Sequence, residues 1–133
     1  MNNNYSPQLN IAVNAALLAG KIIMRFYSRL DTLKVMSKGF NDYVSEADQE
    51  AEKIITETLN KAYPKYKITA EESGSTEINS EYEWFIDPLD GTTNFIHGIP
   101  QFAVSIGLCK ESLPILGVVY DPFKNELFCA EKG

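Results

Sequence analysis

Asp87-Pro88-Leu89-Asp90-Gly91-Thr92 follows directly on the apolar run Trp84-Phe85-Ile86. Two carboxylates at this spacing, with a backbone carbonyl at Leu89 between them, form a set of hard oxygen donors of the kind Mg²⁺ prefers. Proline cannot donate to a sheet ladder, so a strand bearing Asp87 is expected to end at Pro88. The turn over Pro88-Leu89-Asp90 can then bring the second carboxylate back beside the first. Gly91 permits close backbone approach to a ligand. The N–H groups of Gly91 and Thr92 open a helical turn, a natural seat for a phosphate. Metal and phosphate would then be neighbours, as hydrolysis of a phosphate monoester requires. Proline, aspartate and glycine also dominate ordinary turns for purely local reasons, and a plain turn is the competing reading.

Further acids lie at element ends. Asp42 and Asp48 flank the start of one element, and Glu71-Glu72 closes another. Acids that only solvate a surface sit more often mid-helix, paired with lysine one turn on. The elements that must hold these acids are legible in outline. Residues 8–30 carry Ile11, Ala15, Leu18, Ile22 and Phe26 at helical spacing, after a Ser6-Pro7 start; Gly20 weakens that helix. Residues 31–44, which include Lys38 and Asp42, read as a short extended piece and a loop. Ser45-Glu46-Ala47-Asp48 reads as a capping box. The helix it opens runs to about Ala62, with Ala47, Ala51, Ile54, Ile55 and Leu59 inward, and Tyr63-Pro64 stops it. The period then becomes two: strands are expected at 66–69, 83–87, 102–110, 115–121 and 126–130, with a polar loop at 75–82. Four-residue connections at 111–114 and 122–125 suit antiparallel hairpins. Two N-terminal helices packed on a mainly antiparallel sheet make an α+β fold.

Bulk properties narrow the function. The chain has 133 residues, enough for one domain, and 44% are hydrophobic, enough for a core. Its 18 acids against 12 Lys and Arg give a net charge of −6, against a nucleic-acid-binding surface. Cys109 and Cys129 are too few for a disulfide scaffold or a zinc site and read as reduced packing residues. The N-terminus lacks the pattern of a signal peptide, and the longest apolar run is far short of a membrane span. A cytoplasmic location and no membrane association are the expectation. Ser45 reads as an N-cap, since no base is in view to activate it. The single histidine, His97, lacks a partner to orient it and reads as a structural or surface residue. Trp84 and Phe85 read as core.

Three motifs together carry a family resemblance. Asp42-Tyr43-Val44-Ser45-Glu46-Ala47-Asp48 resembles the DxVTxxD segment of the inositol monophosphatase family. Ala70-Glu71-Glu72-Ser73 resembles its GEES motif, with alanine in place of the usual glycine. Residues 84–95, WFIDPLDGTTNF, are similar to its WxIDPxDGTxNF signature, and Ile99-Pro100 and residues 102–107 continue the match. The resemblance implies the first half of a layered α/β/α/β/α sugar-phosphatase fold and a Mg²⁺-dependent, lithium-sensitive phosphatase of small phosphorylated polyols or sugars, myo-inositol monophosphate foremost. It implies that Glu71, Asp87 and the Leu89 carbonyl hold one metal, and that Asp87 and Asp90 share a second. Glu71 and Thr92 would position the attacking water, with Asp48 orienting Thr92. Asp42 would belong to a mobile side where a third metal enters. Gly91 and Thr92 amides, with Asp90 nearby, would bind substrate. Lys38 would offset phosphate charge or remain a solvated lysine, and Glu72 would support the ligands from behind.

The resemblance also implies a homodimer in the complete protein. It leaves open a fructose-1,6-bisphosphatase-like or 3′-phosphoadenosine-5′-phosphate phosphatase activity, and a regulatory binding role in transcription complexes. Family members are about twice this length, and their second half brings a WDxAAG-like segment with a further metal-binding aspartate. No such segment occurs here. Residues 1–133 are therefore expected to be the N-terminal metal-binding half, weakly active or inactive alone.

Overall fold

A computed structural model describes residues 4–133. Helix α1 (Pro7–Tyr27) starts where Ser6 accepts a hydrogen bond from the Leu9 amide, with Pro7 in its first turn. A 3₁₀ turn (Leu30–Thr32) follows, and then strands β1 (Val35–Gly39) and β2 (Asp42–Ser45). Helix α2 (Glu46–Ala62) leads into β3 (Lys67–Ala70), the two-residue β4 (Gly74–Ser75) and the long β5 (Tyr82–Asp90). After the single-turn α3 (Thr92–Ile96) come β6 (Ala103–Lys110), β7 (Leu113–Asp121) and β8 (Glu126–Glu131). Six strands form one sheet in the order β4-β3-β5-β6-β7-β8, antiparallel except for β3 beside β5. The expected α+β architecture is therefore observed.

One face of the sheet carries α1 and α2. Trp84, Ile86, Val104, Ile106, Leu108 and Val118 point at the helices and are buried. The inward face of α1 is rotated from the expected one. Leu9, Ala12, Val13, Ala16, Ala19 and Ile23 are buried; of the expected face Ala15 is buried as well, whereas Leu18 is 38% exposed and Ile11, Ile22 and Phe26 are half-buried. Small side chains win this face because they let the helix lie close to its neighbours. Gly20 belongs to the same contact: a Cβ there would run into the Tyr120 ring of β7. Helix α1 is long and apolar enough, on length and composition alone, to cross a membrane. That corrects the expectation from uninterrupted apolar runs, although here the helix is a core element packed on α2, β6 and β7.

Three further expectations change. Residues 31–44 are not mainly loop, because β1 and β2 form an antiparallel hairpin with its tip at Phe40-Asn41. Its base is tied to α2 by the Glu46 amide donating to the Lys34 carbonyl at 3.0 Å. The strand bearing Asp87 does not end at Pro88. It runs to Asp90 through an irregularity between Asp87, opposite Ser105, and Asp90, opposite Ala103, so the missing proline N–H falls where the ladder is already interrupted. The β6–β7 connection is two residues, Glu111 and Ser112, both with positive φ of 49° and 68°, which suits a tight hairpin turn.

The other sheet face is open. Thr69, Phe85, Gly107, Gly117 and Ala130 lie in one row across neighbouring strands. Phe85, Val119 and Phe128 are 43%, 44% and 61% exposed. Phe85 is thus not a core residue like Trp84, because alternation along β5 sends it to this uncovered side. Cys109 and Cys129 are both free thiols, half-buried.

Candidate metal and phosphate site

Three chain segments converge at one end of the sheet. Asp48 comes from the first turn of α2, Glu71 from the end of β3, and Asp87, Leu89 and Asp90 from the end of β5. The pairing of β3 with β5 aligns the Glu71 turn with the acidic end of β5: the Glu71 amide donates to the Ile86 carbonyl at 3.1 Å. A cleft of about 270 Å³ results. Lys38, Asp42, Asp48, Glu71, Glu72, Asp87, Leu89, Asp90, Gly91 and Thr92 all line it. Every residue singled out from the sequence as a candidate ligand, substrate contact or support therefore reaches one cavity. The wider hollow on the open sheet face, about 720 Å³, shares Glu71 and Asp87 with the cleft but is otherwise lined mainly by apolar and small side chains.

Local structure explains each placement. Ser45 caps α2, accepting from the Ala47 and Asp48 amides, while Asp48 Oδ2 accepts from the Ser45 amide and hydroxyl at 2.8 and 2.6 Å. This capping box is complete, and it holds a carboxylate that is only 2% exposed. The free oxygen, Oδ1, accepts from the Thr92 hydroxyl at 2.7 Å, and the same hydroxyl lies 3.1 Å from the Leu89 carbonyl. Gly91 precedes Thr92 at φ 95°, and a Cβ there would stand 2.6 Å from the Gln101 carbonyl oxygen. Only glycine fits a left-handed residue packed this tightly. Asn94 of α3 donates to the same carbonyl at 3.0 Å.

The cleft concentrates negative charge. Burial first, and then the neighbouring Asp90, Glu71 and Asp48 carboxylates, together raise the Asp87 carboxyl from 3.8 to about 6, against a hydrogen bond from the Leu89 backbone that lowers it. Burial likewise raises Glu72, although Lys38 opposes the shift through an ion pair at 3.1 Å. Lys38 lines the cleft while its ion pair bridges β1 to the Glu72 turn. Among the described residues, no group of three or more His, Cys, Asp or Glu side chains is clustered closely enough to hold a metal ion. The fit to a divalent cation is one of donor chemistry. The cleft offers hard carboxylate and carbonyl oxygens, and Asp87 is crowded by like charges that a cation would offset.

Glu52 was not anticipated from the sequence. It is buried in α2, 6% exposed, and accepts from the Glu72 amide at 2.8 Å. A signal was available, since Asp48, Glu52, Ile55 and Leu59 fall on one helical stripe. His97 stays outside the cleft, with Nδ1 2.7 Å from the Thr93 carbonyl in its own helical turn.

The sequence profile of the inositol monophosphatase family matches residues 4–133, and the chain belongs to that family. Among curated relatives, Nus factor SuhB of Escherichia coli (strain K12) is 48% identical over 128 residues, covering 96% of this chain and 48% of the relative. An inositol-1-monophosphatase of Mesorhizobium japonicum is 47% identical over 129 residues, with 96% and 48% covered. Among solved structures, extragenic suppressor protein suhB from Bartonella henselae superposes with a TM-score of 0.94 at 48% identity, covering 96% of this chain and 50% of that one. The Thermotoga maritima IMPase gives 0.86 at 34% identity, covering 96% and 49%. The chain spans about half the length of the curated relatives it matches.

Proposed function

We propose that this chain supplies the metal- and phosphate-binding part of a Mg²⁺-dependent hydrolase of small phosphate monoesters, with myo-inositol monophosphate the foremost substrate. The observation that carries this reading is the convergence of Asp48, Glu71, Asp87, Leu89, Asp90 and Thr92, from three distant segments, on one cleft. Glu71, Asp87, Asp90 and the Leu89 carbonyl would hold the metal, with Asp42 at the rim. When bound, Mg²⁺ would acidify a coordinated water and neutralise charge on the phosphate.

The remaining work falls to the protein. The Thr92 hydroxyl donates its proton to Asp48, so its lone pairs are left to accept from a water and aim that water's oxygen at phosphorus. The Glu71 carboxylate accepts the proton the water loses as the ester P–O bond breaks, and the departing alcohol oxygen takes its proton from solvent. The amides of Gly91 and Thr92 open α3, where backbone donors lack intrahelical acceptors, and they orient the phosphate oxygens. Lys38 stays in reach of the cleft through Glu72 and offsets part of the negative charge. The substrate-selecting groups and the homodimer of the resemblance belong to the same reading, as do its lithium sensitivity and cytoplasmic location.

The test is a Mg²⁺ titration of the 133-residue chain and of Asp87→Asn, followed by phosphate release from inositol 1-phosphate, fructose 1,6-bisphosphate and 3′-phosphoadenosine 5′-phosphate. The wild type should bind Mg²⁺, and Asp87→Asn should weaken binding at least tenfold. Turnover by these residues alone should be orders of magnitude below that of a full-length relative, because a two-metal clamp needs every ligand. Metal binding insensitive to residue 87 would overturn the proposal.

A regulatory reading rests on the names of relatives such as Nus factor SuhB. On that reading, Asp87→Asn should still be captured by a transcription complex while metal binding is lost. Loss of both together would exclude a separate scaffold role.

A further inference from the structure

Glu52 is the one buried carboxylate near the cleft that the proposed chemistry leaves unused. It stands one helical turn after Asp48 in α2, so both acids project from the same side of the helix toward the sheet. Neighbouring positions on that side are Ala51, Ile55 and Leu59, all buried. A carboxylate among them is costly to bury and must meet a directed donor. Glu52 Oε1 accepts from the backbone amide of Glu72 at 2.8 Å.

That amide belongs to the residue immediately after Glu71. The Glu71 amide in turn donates to the Ile86 carbonyl, one residue before Asp87. The backbone around Glu71 is therefore held from two sides, by α2 through Glu52 and by β5 through Ile86. The Glu72 side chain then reaches Lys38 on β1, with both carboxylate oxygens within 3.2 Å of Nζ. One turn thus links α2, the end of β5 and the hairpin that carries Asp42.

We infer that Glu52 is a positioning residue: its carboxylate fixes the Glu71-Glu72 turn so that the Glu71 side chain is presented to the metal cleft. This rests on the metal-binding reading above. Buried hydrogen-bond partners of ligands commonly tune metal affinity by ten- to a hundredfold without touching the metal.

The experiment measures Mn²⁺ affinity of the 133-residue chain by water-proton relaxation, with folding of each variant checked by circular dichroism. Glu52→Met removes the acceptor but keeps length and packing, and should weaken Mn²⁺ binding about tenfold or more. Glu52→Gln keeps an acceptor oxygen and should stay within about threefold of wild type, since the bond to the amide survives. In a Glu71→Ala background, Glu52→Met should have no further effect, because the group it positions is gone. A role in fold stability alone would instead give the same Mn²⁺ affinity in every folded variant, and that result overturns the inference.

If Glu52→Met does not fold, hydrogen exchange of the wild-type Glu72 amide decides. Slow exchange supports the anchor, and exchange at the rate of an open loop refutes it. The two proposals fail separately. Mn²⁺ binding that is lost in Asp87→Asn but unchanged in Glu52→Met sinks only the positioning role. Binding indifferent to Asp87 sinks the metal site and the positioning role with it.

Discussion

Asp87 is where the cleft's chemistry and its stability conflict. Its carboxyl titrates near 6 in the fold against 3.8 in the unfolded chain, through burial first and then the Asp90 and Glu71 charges. Between about pH 4 and 6 the folded state retains a proton that the unfolded state releases, so stability from this group falls as pH rises through that window. In chelator-containing buffer, Asp87→Asn should therefore be more stable than wild type at pH 7. The difference should shrink as pH is lowered toward 4, as paired thermal melts would reveal. A neighbouring residue makes the opposite case. Gly91 sits at φ 95° with the Gln101 carbonyl 2.6 Å from any Cβ. Gly91→Ala should cost about 2 kcal/mol or more in urea unfolding, from backbone strain and the clash together.

At the level of elements, the start of α2 is both a helix end and a part of the site. Ser45→Ala removes the acceptor for two amides and one donor to Asp48. It should lower unfolding free energy by about 1–2 kcal/mol. The thermal melt should move accordingly, and an unchanged melt would mean that water replaces the cap. The β6–β7 turn carries a different load. Glu111 and Ser112 both adopt positive φ, a conformation that asparagine and glycine occupy more cheaply. The double substitution Glu111→Asn with Ser112→Gly should stabilise the chain by roughly 0.5–1 kcal/mol without altering the cleft, as equilibrium unfolding can measure.

For the molecule as a whole, the sheet has one covered face and one open face. Phe85, Val119 and Phe128 stand on the open face beside the Gly107-Gly117-Ala130 row. An apolar surface of this kind favours association in water. Sedimentation should show an average mass that grows with concentration. Phe128→Lys should reduce that growth by placing a charge in the patch. A strictly monomeric wild type at high concentration would contradict the expectation.

Much of this was written locally. The Ser45 capping box, the inward stripe of α2, the hairpin strands and the acids at element ends all follow from nearest-neighbour chemistry and from periods of 3.6 and 2. The WFIDPLDGTTNF signature made the candidate site legible because it crowds two carboxylates, a turn and a helix start into a dozen consecutive residues. The rest depends on contacts between segments far apart in the chain. Which face of α1 turns inward was settled by the close packing of alanines and Gly20 on the sheet, which apolar spacing could not rank. Pro88 remained within a strand because β6 offered an irregular register to receive it. Glu52 gained its partner only when the Glu72 amide, twenty residues later, met its carboxylate. A buried charge declares its purpose through the partner that folding brings to it, and that partner is not a neighbour in sequence.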